Sequence, residues 1–405
     1  MPTPTTAPAS EPLAAPRLGD RSLFPDLACA AYLNHAASSP ASLRVKQGVE
    51  AVLRASAREG AGAVATALAT RDRLRHAAAR LVGARPEDLA LTANTSAGVI
   101  DVALCFPWKK GDRVLVFEGE FPANVTPWQQ AARLFELEVA FCPLRPFEAG
   151  DGPGLERLEQ ELQRGVRLVA VSAVQFRSGL RMPLQAISWA CARHGAELFV
   201  DGVQACGAVP IDVAAMGIDY LACGSHKWLM GMEGAGFLYV RPERVGALRP
   251  HTAGWLSVED PVSFLIQGAG RLRYDRPVRK SASLFEVGTA CATAHAALEA
   301  ALGPILELGV ERIHAHANAY LDRLEPQLVE RGFRSLRAAE PERRSAILSV
   351  EVPAGIDVIA LRGRLSAQGV ATATPDGALR FAPHWPNALG EIDAVLAAID
   401  AALAG

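Results

Sequence analysis

Short apolar segments alternate with helical segments from about residue 86 to residue 240, and this alternation is the feature that most constrains the fold. Each apolar segment has the length of a buried strand, and the intervening segments show helical periodicity. Strands separated by helices form a largely parallel sheet with helices on both faces, so the sequence predicts an α/β architecture. The predicted strands lie in "DRVLVFEGEF", in "RLVAVSAVQF" and at residues 197–200, 220–223 and 236–240.

The pattern restarts after about residue 300 with an amphipathic helix over 309–332, a strand in "SAILSVEVP", another helix, the segment "GALRFAPHW" and a closing helix. This order predicts a second, smaller α+β domain. The first sixteen residues hold five prolines and lack the basic and apolar regions of a signal peptide, which predicts a disordered tail. The predicted division is a tail at 1–16, an N-terminal segment of the small domain at 17–58, a large domain at 59–299 and the small C-terminal domain at 300–405.

Composition argues against several classes of partner. The net charge of -2 gives no general attraction to nucleic acid or to anionic membranes, and no stretch of about 18 apolar residues is free of charge. We therefore predict neither a nucleic-acid nor a membrane partner. The seven cysteines form no CxxC pair and no Cys/His metal spacing, which favours reduced thiols, a cytoplasmic location and no metal site.

Polar and aromatic residues follow the predicted strands at their carboxyl ends, where ligands bind in open α/β sheets. Thr95 and Ser96 begin a predicted helix, where free N–H groups bind an anion, although an ordinary N-cap would look the same. Phe121 lies in a loop after a strand, and the alternative for such an aromatic residue is that its ring fills the core. Asp201 ends an apolar strand and would need a partner if buried, for which a capping N–H group or an arginine is the alternative to a ligand. Lys227 lies between an apolar run and a glycine-rich run, where the alternative is a structural lysine that reaches solvent.

Together these residues suit one cofactor, pyridoxal 5'-phosphate. A helix start suits its phosphate, an aromatic side chain its ring, and a carboxylate its protonated ring nitrogen, while a lysine forms an imine with its aldehyde. Lys227 is therefore predicted to hold the cofactor and then to move the proton of the substrate Cα. Asp201 is predicted to keep the ring electron-withdrawing, and burial is expected to lower the pKa of the lysine.

The sequence also resembles the class V aminotransferase group of fold-type I pyridoxal-phosphate enzymes. That group includes cysteine desulfurases, selenocysteine lyases, kynureninases and isopenicillin N epimerase. The resemblance runs from about Tyr32 to the C-terminus and implies a mixed, mostly parallel sheet between helices, a small domain, and a homodimer with shared active sites. The segments that carry it are "YLNHAASSP", "TANTSAG", "VDGVQACGAVPIDV", "GSHKWLMGMEGAGFLYV", "FEVGT" and "LRFAPHWPNALGEIDAVLAAI".

The resemblance implies a role for each matching residue. The implied phosphate ligands are Thr95, Ser96, His226, Ser225 and, from the neighbouring subunit, Thr289. Gln204 would donate to the ring hydroxyl, Phe121 would stack on the ring, and Gln175 occupies a segment that approaches the cofactor. Arg380 would bind the substrate α-carboxylate, a bidentate task that suits a guanidinium. His35 is predicted to contribute to the substrate pocket, together with Arg177 and the segment 250–265.

Two departures from the family pattern bear on the reaction. Phe121 stands where desulfurases and related lyases often place a histidine over the ring. The segment "SAQGVATATPDGALRFAP" holds no cysteine, although desulfurases carry a nucleophilic one on the loop before the C-terminal arginine. A persulfide mechanism needs that thiolate, so the sequence argues against a cysteine desulfurase.

The sequence thus predicts an enzyme that acts on an amino acid through an external aldimine and a Cα carbanion. C-S β-lyase, transaminase and epimerase chemistry are the favoured subtypes, and C-C cleavage stays open. The alternatives are a desulfurase or selenocysteine lyase type of activity, and a non-enzymatic cofactor-binding regulatory protein. The last usually carries a DNA-binding domain, and the N-terminal tail lacks basic helix-turn-helix character.

Overall fold

A computed structural model describes residues 13–404. Residues 1–12 of the predicted tail lie outside the described residues, while Leu13 packs against the core and Pro16 is buried. The strands are β1 (Ala31–Tyr32), β2 (Leu89–Thr92), β3 (Arg113–Phe117), β4 (Glu138–Cys142), β5 (Val166–Ser172), β6 (Glu197–Asp201), β7 (Tyr220–Gly224), β8 (Gly236–Val240), β9 (Arg334–Ser335), β10 (Leu348–Glu351), β11 (Val370–Ala371) and β12 (Leu379–Phe381). The α-helices are α1 (Leu43–Glu59), α2 (Val64–Val82), α3 (Thr95–Cys105), α4 (Thr126–Phe135), α5 (Arg145–Ala149), α6 (Asp151–Leu162), α7 (Leu184–Arg193), α8 (Pro242–Val245), α9 (Ser263–Ile266), α10 (Ala292–Leu308), α11 (Val310–Glu330), α12 (Val358–Ala367) and α13 (Ile392–Ala404).

The central sheet has seven strands in the order β2-β8-β7-β6-β5-β3-β4. The five strands from β7 to β4 are parallel to one another, while β8 is antiparallel to both of its neighbours. A parallel neighbour requires a crossover of a dozen or more residues, usually a helix, and the connection from Gly224 to Gly236 contains none. The mixed, mostly parallel sheet predicted from the sequence is confirmed, and β8 is its antiparallel member.

Both faces of this sheet are buried. Leu115 and Phe117 of β3 point into one apolar cluster, and Val114 and Val116 of the same strand point into another. Since successive side chains of a strand face opposite ways, burial on both faces requires a continuous apolar run instead of alternation. The strand segments of the sequence therefore read as unbroken hydrophobic stretches.

The Ala/Arg-rich stretch of residues 49–83 lies in two helices. α1 and α2 are separated by a 3-10 turn at Gly60–Ala63, where Gly60 has a φ of 53°. This backbone conformation favours glycine and ends α1. Both helices pack against α10.

The C-terminal part contains a three-stranded antiparallel sheet in the order β12-β10-β9, covered by α11, α12 and α13. β1, from the N-terminal segment, pairs in parallel with β11 of this part. The domain boundaries stay a prediction. No helix within residues 13–404 is long and apolar enough to cross a membrane.

Candidate active site

A cavity of about 490 Å³ opens at the carboxyl edge of the central sheet. Segments that are distant in the chain meet there, because the ends of β2, β3, β5, β6 and β7 point the same way. Eight residues singled out in the sequence line the cavity: Thr95, Ser96, Phe121, Asp201, Gln204, His226, Lys227 and Arg380. The other lining residues are Ala36, Ala37, Asn94, Ala123, Phe176, Val203 and Pro375.

Lys227 follows β7 and is held by its backbone. Its carbonyl accepts hydrogen bonds from the hydroxyl of Ser39 (2.7 Å) and the N–H of Met230 (2.9 Å). The ammonium nitrogen lies 5.4 Å from the ring centroid of Phe121. Burial lowers the pKa of Lys227, and Asp201 opposes this effect by attraction. A larger share of neutral amine is therefore present than for a lysine in water.

Asp201 is the last residue of β6 and is 2% exposed. One carboxylate oxygen accepts a hydrogen bond from the N–H of Val203 at 2.9 Å. Burial raises the pKa of Asp201 to about 6, against the lowering effects of this hydrogen bond and of Lys227. A buried carboxylate of this kind favours a cationic partner, which a protonated ring nitrogen provides.

The start of α3 lines one end of the cavity through Asn94, Thr95 and Ser96. Asn94 caps the helix by accepting the N–H of Ala97 (2.9 Å), and the buried hydroxyl of Thr95 has no hydrogen-bond partner within residues 13–404. Gly98 lets the helix lie close to the sheet, since a Cβ there would stand 2.8 Å from the Cβ of Ala222. The orphaned hydroxyl and the free N–H groups of the first turn suit a phosphate group.

His226 lines the same end of the cavity. Burial, followed by repulsion from Lys227, lowers the pKa of its ring. Ser225 differs, because it is fully buried and its hydroxyl donates to the carbonyl of Met232. Thr289 lies in a separate cavity with Arg71 and His295, so within one chain it does not line the Lys227 cavity. Its predicted role toward a neighbouring subunit stays a prediction.

Gln204 is oriented by a residue that sequence reasoning missed. The indole N–H of Trp228 donates to its side-chain oxygen (2.8 Å), and its amide nitrogen donates to the carbonyl of Ala36 (3.0 Å). An amide has two N–H donors, so one remains for a ligand. Trp228 follows Lys227 directly in an apolar run, and its position beside the lysine was the available signal.

Arg380 lies in β12 and reaches the cavity from the C-terminal part of the chain. Its guanidinium donates to the carbonyl of Phe176 (2.9 Å), and its buried Nε has no partner among the described residues. Burial lowers its pKa to about 10, which leaves it a cation near neutral pH. A buried guanidinium with free donors suits a carboxylate ligand.

The connection between β11 and β12, residues 372–378, contributes Pro375 to the cavity wall. Ala373 and Arg380 exchange backbone hydrogen bonds across this hairpin, and the guanidinium of Arg177 pairs with Asp376 near its tip (3.2 Å). Arg177 thus contacts the loop from outside and does not itself line the cavity. No residue of 250–265 lines it either.

Two predicted residues lie behind the cavity. His35 is buried, its Nδ1 is 2.7 Å from the hydroxyl of Ser39, and it is not a lining residue. Gln175 is also buried, and its amide nitrogen donates to Glu120 at 3.2 Å. This geometry gives no support to substrate binding by His35, and both roles stay predictions. Within the described part of the chain, no group of three or more His, Cys, Asp or Glu side chains is placed to hold a metal ion.

The comparison with known proteins now decides the family. Residues 31–379 match the family model "Aminotransferase class-V". The chain belongs to the class-V aminotransferase family. It is 29% identical over 315 residues to the uncharacterized aminotransferase YcbU of Bacillus subtilis (strain 168), covering 78% of this chain and 79% of the relative. It is 33% identical over 301 residues to a cysteine desulfurase of Klebsiella pneumoniae (strain 342), covering 70% and 68%.

Among solved structures, the chain is similar to the cystine C-S lyase C-DES, with a TM-score of 0.82 and 25% identity over 93% of this chain and 98% of that one. A C-DES mutant carries glycine covalently linked to its pyridoxal-phosphate cofactor. The predicted family, fold class and enzyme class are confirmed, and the protein is a pyridoxal-phosphate-dependent enzyme that acts on an amino acid. The residues present fit the cofactor, because the unpartnered Thr95 hydroxyl, the buried Asp201 carboxylate and the Lys227 amine meet in one cavity.

Proposed function

We propose that the enzyme breaks the C-S bond of a sulfur-containing amino acid by direct β-elimination, without passing sulfur to a cysteine of its own. The observation that carries the proposal is the hairpin of residues 372–378. It lines the cavity through Pro375, directly precedes the strand that carries Arg380, and contains no cysteine. No cysteine is among the residues that line the cavity, and none follows Cys291 in the sequence.

We propose the following division of tasks. Lys227 holds the cofactor, and Asp201 pairs with its ring nitrogen. Thr95, Ser96 and His226 bind the phosphate, as the unpartnered Thr95 hydroxyl and the helix start support. The remaining N–H of Gln204 and the ring of Phe121 complete the site. When bound, pyridoxal phosphate withdraws electrons from the substrate Cα and so acidifies its proton.

The proton balance of the reaction uses one residue of the chain. The Lys227 amine, whose pKa burial lowers, accepts the Cα proton. The Cβ–S bond then breaks, its electron pair leaves with sulfur, and the leaving group takes up the proton that Lys227 accepted and so becomes a thiol. The unsaturated product reacts with water to give pyruvate and ammonia. Arg380 holds the α-carboxylate throughout and fixes the direction of the Cα–H bond toward the lysine.

The C-S lyase activity named for C-DES favours elimination, and the name of YcbU favours transamination as the second candidate. We also propose a homodimer in which Thr289 completes the phosphate site of the partner subunit. Its support is the position of Thr289 outside the Lys227 cavity of its own chain. The cytoplasmic location stays a prediction.

Reduction tests attachment of the cofactor. The purified protein should absorb visible light, and borohydride should fix the cofactor to Lys227, where peptide mass spectrometry locates it. Lys227→Ala should lose this adduct, whereas Lys280→Ala, at an exposed lysine, should keep it. A wild-type protein that stays colourless with added cofactor would overturn the assignment.

A substrate screen tests the reaction. Thioether conjugates of cysteine should give thiol, pyruvate and ammonia in equal amounts. A keto acid without thiol or ammonia would instead indicate transamination, and an inverted stereocentre would indicate epimerisation. Alanine together with a protein-bound persulfide from free cysteine would contradict the proposal, since it requires a nucleophilic protein thiol.

A further inference from the structure

A second buried carboxylate lies beside the cavity, at Glu120, which directly precedes Phe121. Four donors converge on it: the N–H (2.7 Å) and hydroxyl of Ser172, the amide of Asn124 (3.2 Å) and the amide of Gln175 (3.2 Å). We call these four residues the Glu120 cluster. All are at most 8% exposed. A carboxylate offers about four lone-pair sites, so its acceptor capacity is filled by neutral donors.

The cluster clamps the turn that carries Phe121. Asn124 donates its backbone N–H to the carbonyl of Phe121 (2.9 Å), and its side-chain oxygen accepts the indole N–H of Trp128 (3.2 Å). Phe121 is 47% exposed, and its ring meets the ring of Phe176 edge-on with a centroid distance of 5.4 Å. Since the ring has little packing of its own, its direction depends on the backbone turn.

The Glu120 cluster also connects this turn to the end of β5, next to Asp201, the proposed partner of the cofactor ring. Ser172 ends β5 and stands in register with Asp201 on β6. Glu120 therefore links the loop after β3 to the strand beside Asp201. Burial first raises the pKa of Glu120, to about 7, and Asp201 adds to this, while the hydrogen bonds from Ser172 and Asn124 lower it. The ionised form of this buried carboxylate is therefore stabilised by the hydrogen bonds of its donors.

We propose that Glu120 is a positioning residue, which fixes the Phe121 ring against the cofactor by clamping its turn to the end of β5. The inference rests on the proposed cofactor role of Phe121. It goes beyond that role, because Glu120 lines no part of the cavity and acts through another residue.

Glu120→Gln tests the proposal at nearly constant volume. An amide oxygen accepts fewer hydrogen bonds than a carboxylate, and its NH2 group faces donors, so the clamp loosens. The visible circular dichroism of the bound cofactor should change, and its Kd should rise by about tenfold. Because both changes act through one ring, the double variant with Phe121→Ala should resemble Phe121→Ala alone. The control is Glu118→Gln, at an exposed neighbouring carboxylate, which should leave both measurements unchanged.

A Glu120→Gln protein with the dichroism and cofactor Kd of the wild type would overturn the inference, as would effects that add fully to those of Phe121→Ala. If that variant fails to fold, Ser172→Ala decides, because it removes a single hydroxyl donor. An unchanged cofactor spectrum in Ser172→Ala would then count against the clamp, and a changed one would support it. A wild-type protein without a cofactor band would refute the proposed function instead.

Discussion

Asp201→Asn should make the cofactor-free protein more stable while it weakens the enzyme. Asp201 is almost fully buried, and burial raises its pKa from 3.8 to about 6. The folded chain therefore holds this proton to a higher pH than the unfolded chain does. Stability falls as the pH rises from about 4 to about 6, and above that range the penalty is fully present. An asparagine carries no charge to bury and can still accept the N–H of Val203.

The size of the effect follows from the two pKa values. They lie about two pH units apart, and each unit corresponds to about 1.4 kcal/mol, so the penalty near neutral pH is about 3 kcal/mol. For a chain of this length, that free energy corresponds to a rise in melting temperature of about 4 °C. The gain should shrink to about half near pH 5, because the folded wild type is then mostly protonated at Asp201.

Thermal unfolding of cofactor-free wild type and Asp201→Asn near pH 8 and near pH 5 measures both quantities. Glu118→Gln, at an exposed carboxylate, is the control and should show no pH-dependent gain. With bound cofactor, Asp201→Asn should be less active than the wild type, because asparagine cannot pair with a ring cation. A variant no more stable than the wild type near pH 8, or a gain independent of pH, would refute the argument from burial.

Three further experiments test other parts of the site. Arg380→Lys should raise KM for amino acids about 10- to 100-fold with a smaller change in kcat, because a bidentate, charge-assisted contact with the carboxylate is lost. Steady-state kinetics measures both constants, and an α-amide substrate, whose KM should not change, is the control. Mixed dimers of inactive Lys227→Ala and inactive Thr289→Ala chains should regain activity if each site uses both subunits, and no recovery in verified mixed dimers would count against sharing. Trp228→Phe removes one buried hydrogen bond to Gln204, worth about 1 kcal/mol. The freed Gln204 side chain should shift the absorption of the bound cofactor, while the Lys227 adduct should still form.

Local pattern was sufficient for much of the fold. The strand at Gly236–Val240 has the bounds that its apolar run predicts, and β6 and β7 each extend one residue beyond their predicted ends. Lys227 and Asp201 could be found because each interrupts an apolar segment near a strand end. Burying a charge there costs free energy unless the charge has a partner, so its presence indicates a functional or structural role. Glu120 shows the limit of this reasoning. It too is an acid near a strand end, yet nothing local indicates that Ser172 and Gln175 will supply its donors.

The sequence by itself predicted most of the strands and helices of the central sheet, the family, and the charged groups expected to bind a cofactor, because these depend on periodicity and on residue type at a local position. Only the tertiary structure decided that β8 runs antiparallel, that Arg380 enters the cavity beside the Phe176 carbonyl, and that His35 lies behind it. The reason is that strand order and the meeting of distant loops depend on long-range register and packing. Whether a polar side chain faces a cavity or a buried hydrogen-bond donor is settled by residues far away in the chain.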